Sequence, residues 1–310
     1  MSSDTIQALP SASGFAAKCA LAALRKHNIP VQPLLRRAGL SEHDFDNPQH
    51  RMSAASQGNL LEYAAEAMRD SAFGLHLAEQ VKPQEVGLLF YSARSARNLG
   101  EAVSLCARYF RIVNESVRFR LSPGPKGVAL EFAFVGVSPH RVKQNTEFWI
   151  ALIVKAAREV TGRRIQPVRI ACAHSRIEDL RQFERFFGCP VEFGAACGQL
   201  TFSNEALALP LITQDPYLLE TLKPFCEAAA RARETTAASF RASVEHEVER
   251  LLPHGQADRQ TVAKSLALSV RTLTRRLSAE KTNFKEVVDH VRRSLALQYL
   301  NEPGFSLPQI

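Results

Sequence analysis

The chain has 310 residues, a length that accommodates about two domains, and its 45% hydrophobic and 23% charged content is ordinary for a globular protein. That composition excludes a wholly disordered chain, a collagen-like repeat and a small disulfide scaffold. The formal charge of +8 points toward an anionic partner, and its distribution along the chain matters more than its sum. The first hundred residues read as mainly helical, with Cys19, Leu21, Leu24, Leu34, Leu35 and Leu40 at helical spacings and breaks at Asn28-Ile29-Pro30 and Gly39. Ser53 to Met68 and Leu99 to Val113 are further amphipathic stretches.

The hydrophobic period then shortens to two. Val117, Phe119 and Leu121 alternate with polar residues, Pro123-Gly124-Pro125-Lys126-Gly127 follows, and Val128, Leu130, Phe132 and Phe134 complete the pattern of a β-hairpin. Glu147 to Val160 returns to helix and ends at Gly162. Val168 to Ala173 and Gln199 to Phe202 read as short strands, with a helix from Ile177 to Phe187 between them. The fold class expected for this region is α+β, helices plus a small mostly antiparallel sheet. From Glu227 to Ser239 large apolar residues are almost absent, which places a linker there, partly helical by composition.

The charge surplus sits beyond that linker. Between Arg259 and Arg293 there are nine basic and three acidic residues, a net +6 over 35 residues, against +2 for the remaining 275. Clustered Lys and Arg are what phosphate contacts require, although a solvated helix surface has the same composition. Phe240, Val244, Val248 and Leu251 form one helical stripe, stopped by Pro253-His254-Gly255. Asp258 is positioned to cap a second helix and Ser269 a third that runs to about Ala279. On this third helix Val270, Leu273 and Leu277 make an apolar stripe, and Arg271, Thr274, Arg275 and Ser278 the opposite face. A helix built in this way packs with one side and offers the other to a DNA groove. A fourth helix is expected from Phe284 to about Leu300, with Phe284, Val287, Val288, Val291, Leu295 and Tyr299 as its stripe.

Thr261 to Leu277, with the string Ser269-Val270-Arg271-Thr272-Leu273-Thr274-Arg275-Arg276-Leu277, resembles the first helix-turn-helix of AraC/XylS-type transcriptional regulators. The helix after it resembles the linker helix of that family. Upstream, Phe73-Gly74-Leu75-His76-Leu77-Ala78-Glu79, Gly87-Leu88-Leu89, Arg108-Tyr109-Phe110 and Phe186-Phe187-Gly188-Cys189-Pro190-Val191-Glu192-Phe193 resemble an arabinose-binding-type regulatory domain. The resemblance implies an effector-binding and dimerisation domain over residues 1–226, a linker over 227–239, and an all-α DNA-binding domain over 240–310. The family has two helix-turn-helix units, and this sequence stops at Ile310, at the first turn of the second, so the domain is expected to be incomplete. Carried over by position, Arg271, Thr274 and Arg275 read bases, while Ser269, Thr272, Arg276 and Lys264 contact phosphates.

The implied function is a sequence-specific transcriptional regulator, and the partners the resemblance implies are double-stranded promoter DNA, a small-molecule effector, a second copy of the chain and RNA polymerase. The alternative is a truncated effector-binding or dimerising protein with weak or no specific DNA binding. No effector contacts can be named from the sequence, although Phe132, Phe134, Phe148 and Trp149 are the residues expected around a sensing pocket. An enzyme reading rests on His140, His174, Glu147 and Cys189, with no nucleophile elbow, phosphate-binding glycine loop or metal-ligand spacing to join them. No enzymatic activity, cofactor or metal is therefore expected. The six cysteines contain no Cys-x-x-Cys and read as buried thiols of a reducing compartment. With no basic leader and no membrane span, a cytoplasmic location is expected.

Overall fold

Small apolar residues at helical spacing let the first helices of the chain approach closely. The computed structural model describes all residues except 1–9, 48–49, 135–136, 138–141, 234–239, 253–254, 267, 281 and 302–310. β1 (Ser11–Ala12) pairs antiparallel with β2 (Met52–Ser53), and between them lie α1 (Phe15–Lys26) and α2 (Val31–Arg37). Then follow α3 (Ala54–Met68), α4 (Phe73–Gln80), α5 (Leu88–Arg94) and α6 (Leu99–Tyr109). Ala16, Ala17, Ala20, Ala64 and Ala78 are wholly buried in this helical layer. Ser53 caps α3 by accepting the Ser56 N–H, and Asn98 caps α6 by accepting the Glu101 N–H.

The expected hairpin is formed by β3 (Val117–Gly124) and β4 (Gly127–Phe134), joined by a tight turn of only Pro125 and Lys126. α7 (Lys143–Thr161) follows and ends at Gly162, whose φ of 61° a side chain would disfavour. Next come β5 (Arg169–Cys172), α8 (Leu180–Phe187), β6 (Val191–Phe193), β7 (Gly198–Phe202), α9 (Asn204–Ala208) and α10 (Pro216–Arg231). The five-stranded sheet has the order β3-β4-β7-β5-β6 and is antiparallel except for the β5–β6 pair. Val117, Leu130, Phe132, Phe134, Leu200 and Phe202 are its buried side chains, within one continuous core that also holds Phe148 and Trp149 of α7. α7 also meets α4 at Gly74, where a Cβ would collide with the Gln144 carbonyl. The Gln144 side chain accepts the Gly74 N–H at 2.7 Å.

Two expectations are corrected here. The helix between β5 and β6 begins at Leu180, not Ile177, because Asp179 adopts a left-handed φ of 61° and Ile177 is left exposed. Of the six cysteines, all free, only Cys172 and Cys226 are buried; Cys197 is exposed. The segment read as a linker starts as packed helix, since α10 runs to Arg231 with Ala230 buried.

The chain divides into two compact units, one within residues 8–237 and the other built on 238–310. The second contains α11 (Phe240–Leu251), α12 (Arg259–Ser265), α13 (Val270–Ala279) and α14 (Phe284–Asn301). Its core joins Val244 and Val248 of α11, Val262 of α12, Leu273 and Leu277 of α13, and Val287 and Val291 of α14. Each such side chain contributes about 1.5–3 kcal/mol by leaving water. The side chains of Leu295 and Tyr299, and residues 306–310, lie outside the described residues.

Candidate nucleic-acid interface

Local capping sets where α12 and α13 begin. The Asp258 carboxylate accepts the N–H groups of Gln260 and Thr261 at 2.9 and 3.0 Å, and the Thr261 hydroxyl donates to its other oxygen at 2.5 Å. The Thr261 bond, first among several, holds the Asp258 carboxyl below its ordinary pKa. Ser269 accepts the Thr272 N–H at 3.2 Å, starting α13 after a turn fixed by the Leu268 N–H bonding to the Ala263 carbonyl at 2.8 Å.

From that start, 3.6 residues per turn puts Leu273 and Leu277 inward, both wholly buried, and turns Arg271, Thr274, Arg275 and Ser278 outward, all exposed. Among the described residues neither Arg271 nor Arg275 has an ion pair or side-chain hydrogen bond. Their guanidiniums are therefore not committed to the fold. The Thr274 hydroxyl donates back to the Val270 carbonyl at 2.9 Å, which leaves its methyl and its acceptor lone pairs for an outside group.

The four residues assigned to phosphates are not equivalent. Lys264 is exposed at the end of α12 with no partner among the described residues. Ser269 and Thr272 share a hydroxyl–hydroxyl bond of 2.9 Å within the cap, so their first task is to start the helix. The exposed Arg276 leans its guanidinium over the Phe240 ring at 5.3 Å. Beside it, Glu280 at the end of α13 accepts the N–H groups of Phe240 and Arg241 at 2.5 and 2.8 Å, filling the open donors at the start of α11. This clasp ties α13 to α11. Sequence reasoning missed it because no local spacing links positions 40 apart.

In the other unit two of the residues considered for catalysis, His174 and Glu147, are brought together, but in a buried hydrogen bond sealed by Arg176. His174 Nε2–H donates to Glu147 Oε1 at 2.8 Å, and both side chains are about 1% exposed. Arg176 closes the other side, donating from Nε at 2.8 Å and from Nη2 to both Glu147 oxygens at 2.7 Å. Arg176 also donates to the Ser71 carbonyl at 2.7 Å and lies over the Phe183 ring. Cys189 is distant from this motif in role: burial raises its thiol pKa, the reverse of an activated nucleophile. His140 lies outside the described residues. Among the described residues no group of three or more His, Cys, Asp or Glu is arranged to hold a metal ion.

The residues expected around a sensing pocket separate. Phe132, Phe134 and Trp149 line a void of about 20 Å³, whereas Phe148 is wholly buried and borders neither this void nor the larger cavity beside it. A larger cavity of about 80 Å³ lies on α5, α6 and α7, and of the four only Trp149 reaches it.

Residues 29–211 match the family described as the arabinose-binding domain of AraC transcription regulator, N-term. The Ornithine utilization regulator of Pseudomonas aeruginosa is 26% identical, with 95% of this chain and 86% of that protein covered. The HTH-type transcriptional regulator VirS of Mycobacterium tuberculosis is 24% identical, covering 93% of this chain and 84% of that protein. The crystal structure of transcriptional regulator CdpR from Pseudomonas aeruginosa resembles the fold with a TM-score of 0.53 at 21% identity, over 94% of this chain and 87% of that one. No helix among the described residues is long and apolar enough to cross a membrane. The family match spans more than half of the sequence, and the chain belongs to the AraC-type transcription regulators, a family of regulators and not of enzymes, with an arabinose-binding-type N-terminal domain.

Proposed function

We propose that this regulator binds promoter DNA sequence-specifically by laying α13 in the major groove, under control of a small-molecule effector held in the N-terminal unit. The carrying observation is the outward face of α13, where Arg271 and Arg275 are exposed and unpartnered on a helix pinned from behind by Leu273 and Leu277. Arginine donates in pairs to guanine, and threonine offers a methyl or hydroxyl to a neighbouring base. Arg271, Thr274 and Arg275 are accordingly the base readers. Lys264 contacts phosphate directly, and Arg276, Ser269 and Thr272 support the helix from the phosphate side. Residues 1–226, 227–239 and 240–310 serve as regulatory domain, linker and DNA-binding domain. The family resemblance further implies a homodimer, which sedimentation of the full chain reads directly.

Ornithine, suggested by the name of one relative, is a poor match as effector. The 80 Å³ cavity has Arg94 as its one charged lining residue and no carboxylate to receive an ammonium group.

The experiment is selection of duplexes from a random pool by the full chain. Enrichment of a defined site supports the proposal. Salt-sensitive binding with no enriched sequence overturns it in favour of an effector-binding protein without specific DNA recognition.

A further inference from the structure

We propose that the cavity on α5, α6 and α7 is the effector site, and that it takes a small apolar molecule with one oxygen acceptor, a short-chain or small-ring carbonyl or carboxylate compound. The inference rests on the reading above that the N-terminal unit senses a small molecule, and it names the place and the chemistry.

The walls are apolar, with Leu89 and Phe90 from α5, Val103 from α6, and Leu152 and Val160 from α7. A dry apolar cavity of about 150 Å³ holds benzene. At about 80 Å³, roughly half of that, this one suits a body of about three to four carbons. Burial pushes the thiol of Cys106, another wall residue, up to about 12, so the thiol adds no charge to the site.

The polar requirement comes from Trp149. Its side chain lines the cavity, the residue is only 6% exposed, and its Nε1–H has no hydrogen-bond partner. A buried donor without an acceptor is rare in a folded protein and costly to leave so. Phe110 and Phe148 hold the ring edge-on at 5.0 and 5.2 Å, which opposes any rotation that would carry the N–H elsewhere. The Trp149 ring borders both this cavity and the smaller void, and an oxygen on a ligand that reaches its Nε1–H would satisfy it. Arg94, half-buried on the wall, has no carboxylate partner among the described residues and interacts only with the Tyr91 ring at 5.9 Å. It favours a carboxylate over an ammonium group. A sugar fares worse, because each of its hydroxyls would lose water and find carbon.

Trp149 is the only tryptophan of the chain, so its fluorescence reports directly on the cavity. The full chain is titrated with butanone, butanoate, butylamine, ornithine and arabinose. Saturable changes with the ketone or the carboxylate, and none with the other three, are expected; a response to the ketone alone or the carboxylate alone identifies which oxygen chemistry is used. Ala156→Phe fills the cavity and should weaken binding at least about tenfold; Ala93→Leu, from another wall, serves the same purpose if the first variant does not fold. Trp149→Phe, followed by ligand-induced thermal shift, should weaken the responding ligand roughly two- to tenfold. Arg94→Gln should weaken butanoate and not butanone. Binding undiminished by both filling variants overturns the proposal. A response to ornithine or arabinose alone also overturns it, while the sensor reading stands with a polar site elsewhere. Silence with all five, together with operator binding that no metabolite alters, removes both.

Discussion

Replacing Arg271 and Arg275 together separates recognition of sequence from attraction to charge. The two lie four residues apart on α13, a rise of about 6 Å, so the proposed base reading would have them address neighbouring base pairs on one side of the helix. Neither supports the fold, being exposed and unpartnered among the described residues, so the double alanine variant should unfold at the wild-type temperature. Each paired contact to guanine discriminates by about 1–3 kcal/mol. Their joint loss should lower the preference for the selected site by about 2–6 kcal/mol, or roughly 30-fold to 25,000-fold. Lys264→Ala is the control, because that exposed lysine sits outside α13 and has no partner to disturb. It should weaken selected and scrambled duplexes alike and reduce the salt slope by about 0.9. Fluorescence anisotropy on both duplexes between 50 and 200 mM salt, about the range over which phosphate contacts are lost, measures all of these quantities. A double variant that keeps the wild-type ratio of selected to scrambled affinity would refute base reading by this face.

Three further outcomes test the supporting structure. Ser269→Ala removes the acceptor for the Thr272 N–H and should cost about 1 kcal/mol in the C-terminal unit, with faster hydrogen exchange at that amide; unchanged exchange would show that the cap carries no weight. Glu147→Ala leaves Arg176 buried without its counter-ion and should destabilise the N-terminal unit by about 3–5 kcal/mol, read by thermal unfolding; a loss under 1 kcal/mol would contradict the burial argument. Burial pushes the Glu62 carboxyl up from 4.5 to about 8. Between those values the folded unit holds a proton that the unfolded chain has released, so stability should fall as pH rises through the window. The shift corresponds to at most about 5 kcal/mol and to about 1–3 kcal/mol after solvent screening. Glu62→Gln should flatten the decline in urea unfolding between pH 5 and 8, and equal slopes in both proteins would count against it.

The C-terminal unit was the more legible half because its signals are local. Asp258 and Ser269 are capping residues at the starts of α12 and α13, and the stripes of α11 to α14 repeat within single turns. The hairpin was legible for the same reason, since the β3 and β4 alternation flanks its own turn. Elsewhere the decisive partner is remote. β6 is three residues long and exists as a strand by lying parallel to β5, about 20 positions earlier. The left-handed Asp179 gives no sign in composition. α10 did carry a readable start, Asp215 capping with Pro216 at the first helical position, but its Ala- and Arg-rich end resembles a linker until Cys226 and Ala230 are seen to be buried.

The two candidate sites differ in the same way. A groove-reading helix must project its chemistry from one short rigid element, so the spacing of Arg271, Thr274 and Arg275 already contains the site, and tertiary structure adds only the clasp at Glu280. A small-molecule cavity has no such grammar. Phe132, Phe134, Phe148 and Trp149 are equally aromatic in sequence, yet only Trp149 borders the larger space, because that space is what remains where α5 and α6 fail to close on α7. The polar feature proposed for it is a deficit, the buried Trp149 N–H without an acceptor, and a deficit becomes visible only when every neighbour has been placed. If both proposals hold, effector specificity would diverge through a few wall residues, while the spacing proposed to read DNA would stay fixed by the helical repeat.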